Sequence, residues 1–499
     1  MKNLKKLLSM FLAVVMLMGL ATGCAFGPDD EGEGENKDAW DFANQEIDPD
    51  TGLPYMTKEN IELTYFNFDS EVLTQELARR FEAKYPNIKV NVVYVTANVS
   101  NDTLSTMVSS GETPDCFMFT DCDFALSNEL LGDMTWLWEH DKENENLLPT
   151  INELKLGYFY TDQKWATPMK FFPGIIFVDK NVVKHFNLEM PTVDWTWDEM
   201  ITLIKQTTDK TVEPAYYGLG VYNRLDSYYG IAASQDIVGE FGFNGKTFDL
   251  SVWAVGEQEF ADLKLQGYVA PDRETQAMED WLDNWDGWAG ASGRVAIMTE
   301  AYWTYLNLFD TDAYKVDLGV NFVPYPIPSV EEVEGVANTI ATLDFGGISA
   351  TTEHPREAYE LLKWMGWGVD GWTERLKIYA DESFTNSSGL PLIRDSVPAP
   401  ITLDEEIWAA YKEFYYDGTE NDEYWDTYFA NCIRPVPFGW LAIPGYWTFC
   451  DQYFNSIGIH NLVDTGAAKA ADYADEATAQ ANAYHAEAMM EYFGIDINE

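Results

Sequence analysis

The chain has 499 residues, more than one hydrophobic core usually supports, so two lobes of roughly 150–250 residues each are expected. Apolar residues make up 46% and aromatics 15%, a composition that excludes a disordered chain and leaves aromatic side chains over for a ligand. Lys and Arg total 31 against 83 Asp and Glu, a formal net charge of -52 that repels phosphate backbones and anionic headgroups. Nucleic acid is therefore not expected as a partner, and anionic substrates are disfavoured. The acidity reads first as a solvated surface suited to an ion-rich exterior, with attraction of cationic ligands as the alternative.

Along the chain, Lys2, Lys5 and Lys6 precede the apolar run Leu7–Leu20, and Ala21-Thr22-Gly23 lead into Cys24. This is a targeting segment, too short for a comfortable membrane span. Its small-residue approach to a cysteine resembles a bacterial lipoprotein signal, which implies that Cys24 is lipidated and opens the mature chain. Residues 25–56 follow as an acidic tether, because the stretch Gly27–Asp50 has too little apolar surface to fold alone. Cys116, Cys122, Cys432 and Cys450 remain, and disulfides are permitted in an exported protein. Small buried core residues are an equal reading for the first two. No Cys-x-x-Cys or Cys/His ligand spacing appears, so no metal, thiol chemistry or cofactor is expected.

Folded structure is expected from near Ile61. IELTYFNF alternates as a strand, Ser70–Tyr85 carries apolar residues at helical spacing, and Ile88–Val95 returns to strand. That β-α-β opening predicts a parallel pair with a right-handed crossover. Asn101–Ser110 reads as a helix ended by Gly111, and Pro114-Asp115 turn the chain into the strand Cys116–Thr120. The stretch QKWATPMKFFPGIIFVDK reads as two short extended segments, Trp165–Met169 and Gly174–Val178. Lys170, Phe171, Phe172 and Pro173 form the turn between them, which reads as a crossover between lobes. Ala467–Ala488 is a good helix former expected to pack on the second lobe, and nothing after residue 24 is long and apolar enough to span a membrane.

Several blocks in order carry a family likeness: S-G-E-T-P-D before a strand, then L-L-G-D-M-T-W-L, then QKWATPMKFFPGIIFVDKNVVKHFNLEMPTVDWTWDEM. RVAIMTEAYW follows at Arg294–Trp303, then Tyr325–Gly347 with HPREAYELLKWMGW, and a weaker echo at Ile433–Phe438. Together, from about Ile61 to Trp372, they resemble the extracellular solute-binding proteins of the family that includes maltose-binding protein. The resemblance implies an α/β, two-lobed periplasmic-binding-protein-like fold of type II. Each lobe would be a mostly parallel sheet flanked by helices, with ligand in the cleft between them. The first lobe falls at 57–169 and 325–395, the second at 170–324 and 396–499. It also implies a monomer that makes and breaks no bonds.

A sugar presents apolar faces and a rim of hydroxyls, so its site needs aromatic plates beside Asp, Glu, Asn, Lys or Arg. Phe66, Asn67 and Phe68 end the first strand, where the resembling family borders its cleft, although Phe66 and Phe68 also suit a core. Thr120, Asp121 and Asp123 follow a strand at its carboxyl end, where ligands of open sheets sit, and helix capping is the equal alternative for the two acids. Lys170 and Phe171 lie at the crossover, with a salt bridge as the alternative for Lys170. Trp303, beside Tyr302, ends RVAIMTEAYW at the position where the resemblance implies a stacking aromatic. Asp344, with Phe345, Gly346 and Gly347, forms a further candidate turn; the glycines would admit a ligand or a neighbouring strand. Tyr222, Arg224, Asp226 and Tyr228, and Arg434 with Trp440, complete the candidates. WLDNWDGW at Trp281–Trp288 places three Trp on one helical face, which reads as packing rather than as a sugar platform.

No G-x-S-x-G, G-x-x-x-x-G-K or HExxH motif is present, so hydrolase, ATPase and zinc-protease chemistry lack their parts. The expectation is a lipid-anchored receptor on the extracytoplasmic face of a bacterial cell membrane. It would capture a carbohydrate, an oligosaccharide by preference, and deliver it to the permease subunits of an ABC importer. A carbohydrate-active glycosidase or lyase, a polyamine or peptide receptor, and a signalling receptor stand as alternatives.

Overall fold

A computed structural model describes residues 40–498 apart from 121, 154, 235–236, 331–338, 432–434 and 438–441. Residues 1–41 form one unit and Phe42–Glu499 a second, the folded body. Cys24, Asp121, Cys432, Arg434 and Trp440 lie outside the described residues.

Among the described residues ten strands build two sheets. They are β1 (Ile61–Asn67), β2 (Ile88–Tyr94), β3 (Cys116–Phe119), β4 (Thr167–Pro173) and β5 (Ile175–Asp179). The rest are β6 (Tyr217–Val221), β7 (Val295–Glu300), β8 (Phe322–Tyr325), β9 (Thr339–Ile348) and β10 (Pro435–Pro437). The first sheet runs β10-β9-β3-β1-β2, with β4 also on β9; the second runs β6-β7-β5-β8. β1 pairs parallel with β2 and β3, whereas β9 returns antiparallel to β3 and β4. β10 adds to the edge of the first sheet, although its residues lie in the segment 396–499 that was expected in the second lobe.

The opening β-α-β unit forms as its periodicity predicts. The helix Glu71–Lys84 turns Leu73, Leu77, Ala78 and Phe81 inward, with Glu71 in its first turn and Lys84 in its last, as the helix dipole favours. Ser100–Ser110 ends at Gly111, which takes a left-handed φ of 78°. In the second lobe the helix Trp197–Gln206 opens with a capping box between Thr196 and Glu199. The C-terminal helix Ala471–Phe493 buries Ala474, Ala477, Ala481 and Ala488, small residues that let it pack on the helix Ser251–Gln266. It also touches the helix Cys122–Ser127, beside the first sheet. In the first lobe Lys363 is buried and ion-paired to Asp141 at 3.0 Å, Glu143 at 3.3 Å and Glu360 at 3.6 Å.

Four expectations need correction. The tether does not extend to residue 56: Phe42 is buried with its ring 5.6 Å from that of Trp136, Leu53 is buried, and the Arg356 Nε donates to Pro54 O at 2.9 Å. Two apolar anchors and one buried arginine suffice to hold this acidic stretch. Lys170, Phe171, Phe172 and Pro173 form no turn; they belong to β4, and only Gly174 separates β4 from β5. Asp344–Gly347 likewise lies within β9, where a Cβ on Gly347 would stand 2.3 Å from Leu131 Cδ2 and one on Gly346 2.7 Å from Met169 Cγ. Those glycines therefore serve neighbouring protein atoms. Finally, the helix carrying Trp281 stops at Leu282 with Asp283 left-handed, so the three Trp share no helical face. Trp281 is buried, Trp285 is exposed, and Trp288 stacks on Phe309 at 5.4 Å. Cys116, Cys122 and Cys450 form no disulfide among the described residues, and burial pushes the Cys116 thiol well up.

Candidate functional site

The chain passes from the first sheet to the second at Gly174, and a pocket of about 350 Å³ opens there. From the first sheet it takes Phe172 and Pro173 of β4 and Thr342 of β9, a register pair partner of Phe172. The second lobe supplies Tyr222 and Asn223, directly after β6, and Ala301, Tyr302 and Trp303, directly after β7. Carboxyl ends of parallel neighbours leave backbone groups unsatisfied by the sheet, which is why open α/β sheets bind ligands there. Ser227, Tyr228, Glu240 and Glu300 complete the wall.

The loop after β6 is held rather than loose. Tyr222 N and Asn223 N both donate to Thr299 O, at 2.8 and 3.1 Å, and the Thr299 hydroxyl donates to Asn223 O at 2.6 Å. Asn223 Nδ2 donates to the Tyr228 hydroxyl at 3.1 Å. Trp303 is half-buried and meets the ring of Phe172 edge-to-face at 4.9 Å, so one aromatic from each sheet forms the pocket's apolar corner. Tyr222 is 61% exposed, a large aromatic face with no protein surface covering it. Tyr302 is buried beneath, its hydroxyl 2.7 Å from that of Tyr411.

Two glutamates line the same pocket. Glu300 ends β7 and is 3% exposed; its Oε1 accepts from Ala301 N at 3.0 Å and from the Thr304 hydroxyl at 3.2 Å, while Oε2 has no hydrogen-bond partner. Burial pushes its carboxyl up to about 7 against these bonds and the indole of Trp288. Glu240 Oε1 accepts from the Tyr446 hydroxyl and its Oε2 is likewise unpartnered. Burial again dominates, with the nearby Asp226 adding to it, and raises this carboxyl to about 7.

One step along the β4–β9 ladder, Lys170 stands opposite Asp344, on the same strand face as Phe172 and Thr342. Its ammonium lies 3.2 Å from Asp69 Oδ1, 3.6 Å from Asp344 Oδ2 and 5.5 Å from the centre of the Phe68 ring. Burial opposes the charge on Lys170, but Asp69 and Asp344 prevail and hold its pKa up. Asp69 is held down by Lys170 and Arg375 against its own burial, while burial raises Asp344.

The structure thus sorts the residues expected in the site. Trp303 and Tyr222 meet in the pocket, with Tyr302 and Tyr228; the buried Lys170 and the partly buried Phe68 and Asp344 form the adjacent cluster. Phe66, Asn67 and Phe171 are fully buried away from it. Strand alternation explains Phe171, which points opposite to Lys170 and Phe172. Asn67 instead ties down the strand end: its Oδ1 accepts from Asp69 N at 3.1 Å and the Thr74 hydroxyl at 3.2 Å. Asp123 accepts from Gly445 N at 2.7 Å. Arg224 pairs with Asp226, Glu257 and Asp464 in a buried ion cluster with His460, outside the pocket. Phe172, Asn223, Ser227, Glu240, Glu300 and Thr342 were missed. Glu300 had a readable signal, since a lone acid closes the apolar strand of RVAIMTE immediately before Trp303.

Two sheets whose first crossover is a single residue, with an aromatic pocket at that crossover, define a two-lobed α/β ligand-binding protein of type II. Residues 69–366 match the bacterial extracellular solute-binding protein family, and the chain belongs to that family. No curated protein matches it in sequence. Among solved structures it is similar in fold to an ABC substrate-binding protein from Listeria monocytogenes in complex with cycloalternan. That match has 19% identity and a TM-score of 0.59, covering 85% of this chain and 99% of that one. A cyclo/maltodextrin-binding protein complexed with maltotetraose is similar at 17% identity and TM-score 0.58, covering 87% and 98%. The sugar-binding protein MalE from Xanthomonas citri is similar at 13% identity and TM-score 0.62, covering 85% and 98%.

Proposed function

We propose that the protein captures a carbohydrate in the pocket at Gly174 and delivers it to the permease of an ABC importer. The observation that carries this reading is the contact of Trp303 with Phe172, one aromatic from each lobe, beside Asn223, Ser227, Thr342 and the two glutamates. An apolar corner with a polar rim matches the faces and hydroxyls of a sugar ring. Cycloalternan and maltotetraose in structures of similar fold support an oligosaccharide. Closure of both lobes on the ligand is then the signal that the permease reads, and no bond is made or broken. The sequence up to Cys24 supports a lipid anchor on the extracytoplasmic face, so a Cys24→Ser chain is expected in the soluble fraction.

The test is thermal unfolding of the purified protein with neutral mono- and oligosaccharides, polyamines and short peptides. A ligand at 100 times its dissociation constant adds about 2.7 kcal/mol of stability. A sugar-specific rise in melting temperature with the sugar recovered intact is expected. Sugar cleavage, or a rise with peptides alone, would overturn the proposal.

A further inference from the structure

The pocket's wall is acidic and aromatic, and among the described residues its lining includes no lysine or arginine. The cations that the chain places nearest in sequence are committed elsewhere: Lys170 to Asp69 and Asp344, Arg224 to Asp226, Glu257 and Asp464. Glu300, almost fully buried, and Glu240 both line the pocket, and each has one buried carboxyl oxygen without a hydrogen-bond partner. A buried carboxyl oxygen without a donor is unfavourable, more so when ionised. Resting on the carbohydrate reading, we infer that the ligand is a sugar bearing a protonated amine, whose ammonium binds between Glu300, Glu240 and the aromatic faces of Trp303 and Tyr222.

Neutral hydroxyls would meet the same oxygens, but they leave the pocket's negative charge uncompensated. An ammonium supplies charge and several donors from one small group, and aromatic faces favour it further. Anionic sugars are repelled. Binding also has a proton signature. The groups facing Glu240 are the Tyr446 hydroxyl, Cys450, Asp226 and His460. Those facing Glu300 are Ala301 N, the Thr304 hydroxyl, the Trp288 indole and the phenols of Tyr222, Tyr228 and Tyr314. Of these only His460 can carry positive charge, and it is paired with Glu257, so near neutral pH both carboxyls hold part of a proton that an incoming ammonium expels.

Isothermal titration at pH 7 tests this with a glucosamine oligomer, its N-acetylated counterpart and a gluco-oligosaccharide of equal length, each in two buffers of different ionisation enthalpy. The amine is expected to bind at least about tenfold more tightly than the acetylated form, as a close charge pair warrants, with proton release. In Glu300→Gln and in Glu240→Gln that ratio is expected to fall. Equal affinities for all three sugars in the wild-type protein would overturn the inference and leave the carbohydrate reading standing. Failure of every sugar to bind would overturn both.

Discussion

The buried carboxyl of Glu300 makes the body's stability depend on pH in a direction opposite to that of an ordinary ion pair. Its folded pKa is raised to about 7 from 4.5, so the folded state retains a proton that the unfolded chain has given up. Below about pH 4.5 both states are protonated and there is no penalty. Through the window from 4.5 to about 7 only the unfolded chain ionises, and stability falls as pH rises. At about 1.36 kcal/mol per unit, the loss above pH 7 is on the order of 3 kcal/mol. Glu300→Gln keeps the shape and an oxygen for Ala301 N and Thr304, but has no charge to bury. The variant is expected to match the wild type at pH 5 and to melt a few degrees higher at pH 8, in thermal scans at both values. A difference that is the same at both pH values, or a variant that is less stable at pH 8, would refute the assignment of burial as the cause.

Two further outcomes follow from named contacts. Trp303→Ala removes the half-buried aromatic that faces Phe172, and affinity for a bound oligosaccharide is expected to fall by about tenfold in titration calorimetry; undiminished affinity would remove Trp303 from the site. Lys363→Met leaves the buried Asp141 without its cation, while Glu360 keeps Arg356 at 2.8 Å and Glu143 is partly exposed, and a loss of about 3–5 kcal/mol is expected in urea unfolding. A loss below about 1 kcal/mol would mean that water reaches these acids.

Local periodicity carried most of the first lobe's opening. Apolar spacing located the helix Glu71–Lys84, and Gly111 marked the end of Ser100–Ser110 because only a left-handed residue closes a helix that way. The same local reading misplaced Lys170–Pro173, because proline and aromatics suggest a turn unless the partner strand is known; β9, some 170 residues later, makes them a strand. Trp303 was legible through the family resemblance, and Tyr222 stood among the second-lobe candidates. Glu240 was not, since its place in the pocket depends on a loop that no periodicity marks and on Tyr446, more than 200 residues away. With 83 acids in the chain, only the tertiary fold shows which two line the pocket.

The single residue between β4 and β5 leaves the two sheets no slack. The Gly174 carbonyl at this crossover is also held by the Tyr428 hydroxyl at 3.1 Å, so on the proposed closure mechanism it would serve as a spine. Atoms beside a spine travel least when the lobes swing. Phe172 abuts that spine, so a ring lodged against it keeps its grip through small openings, while units farther out on a long sugar are carried away in proportion to their distance. On the proposed carbohydrate reading, recognition of the innermost ring would thereby be separated from release of the chain, which would proceed from its outer end inward.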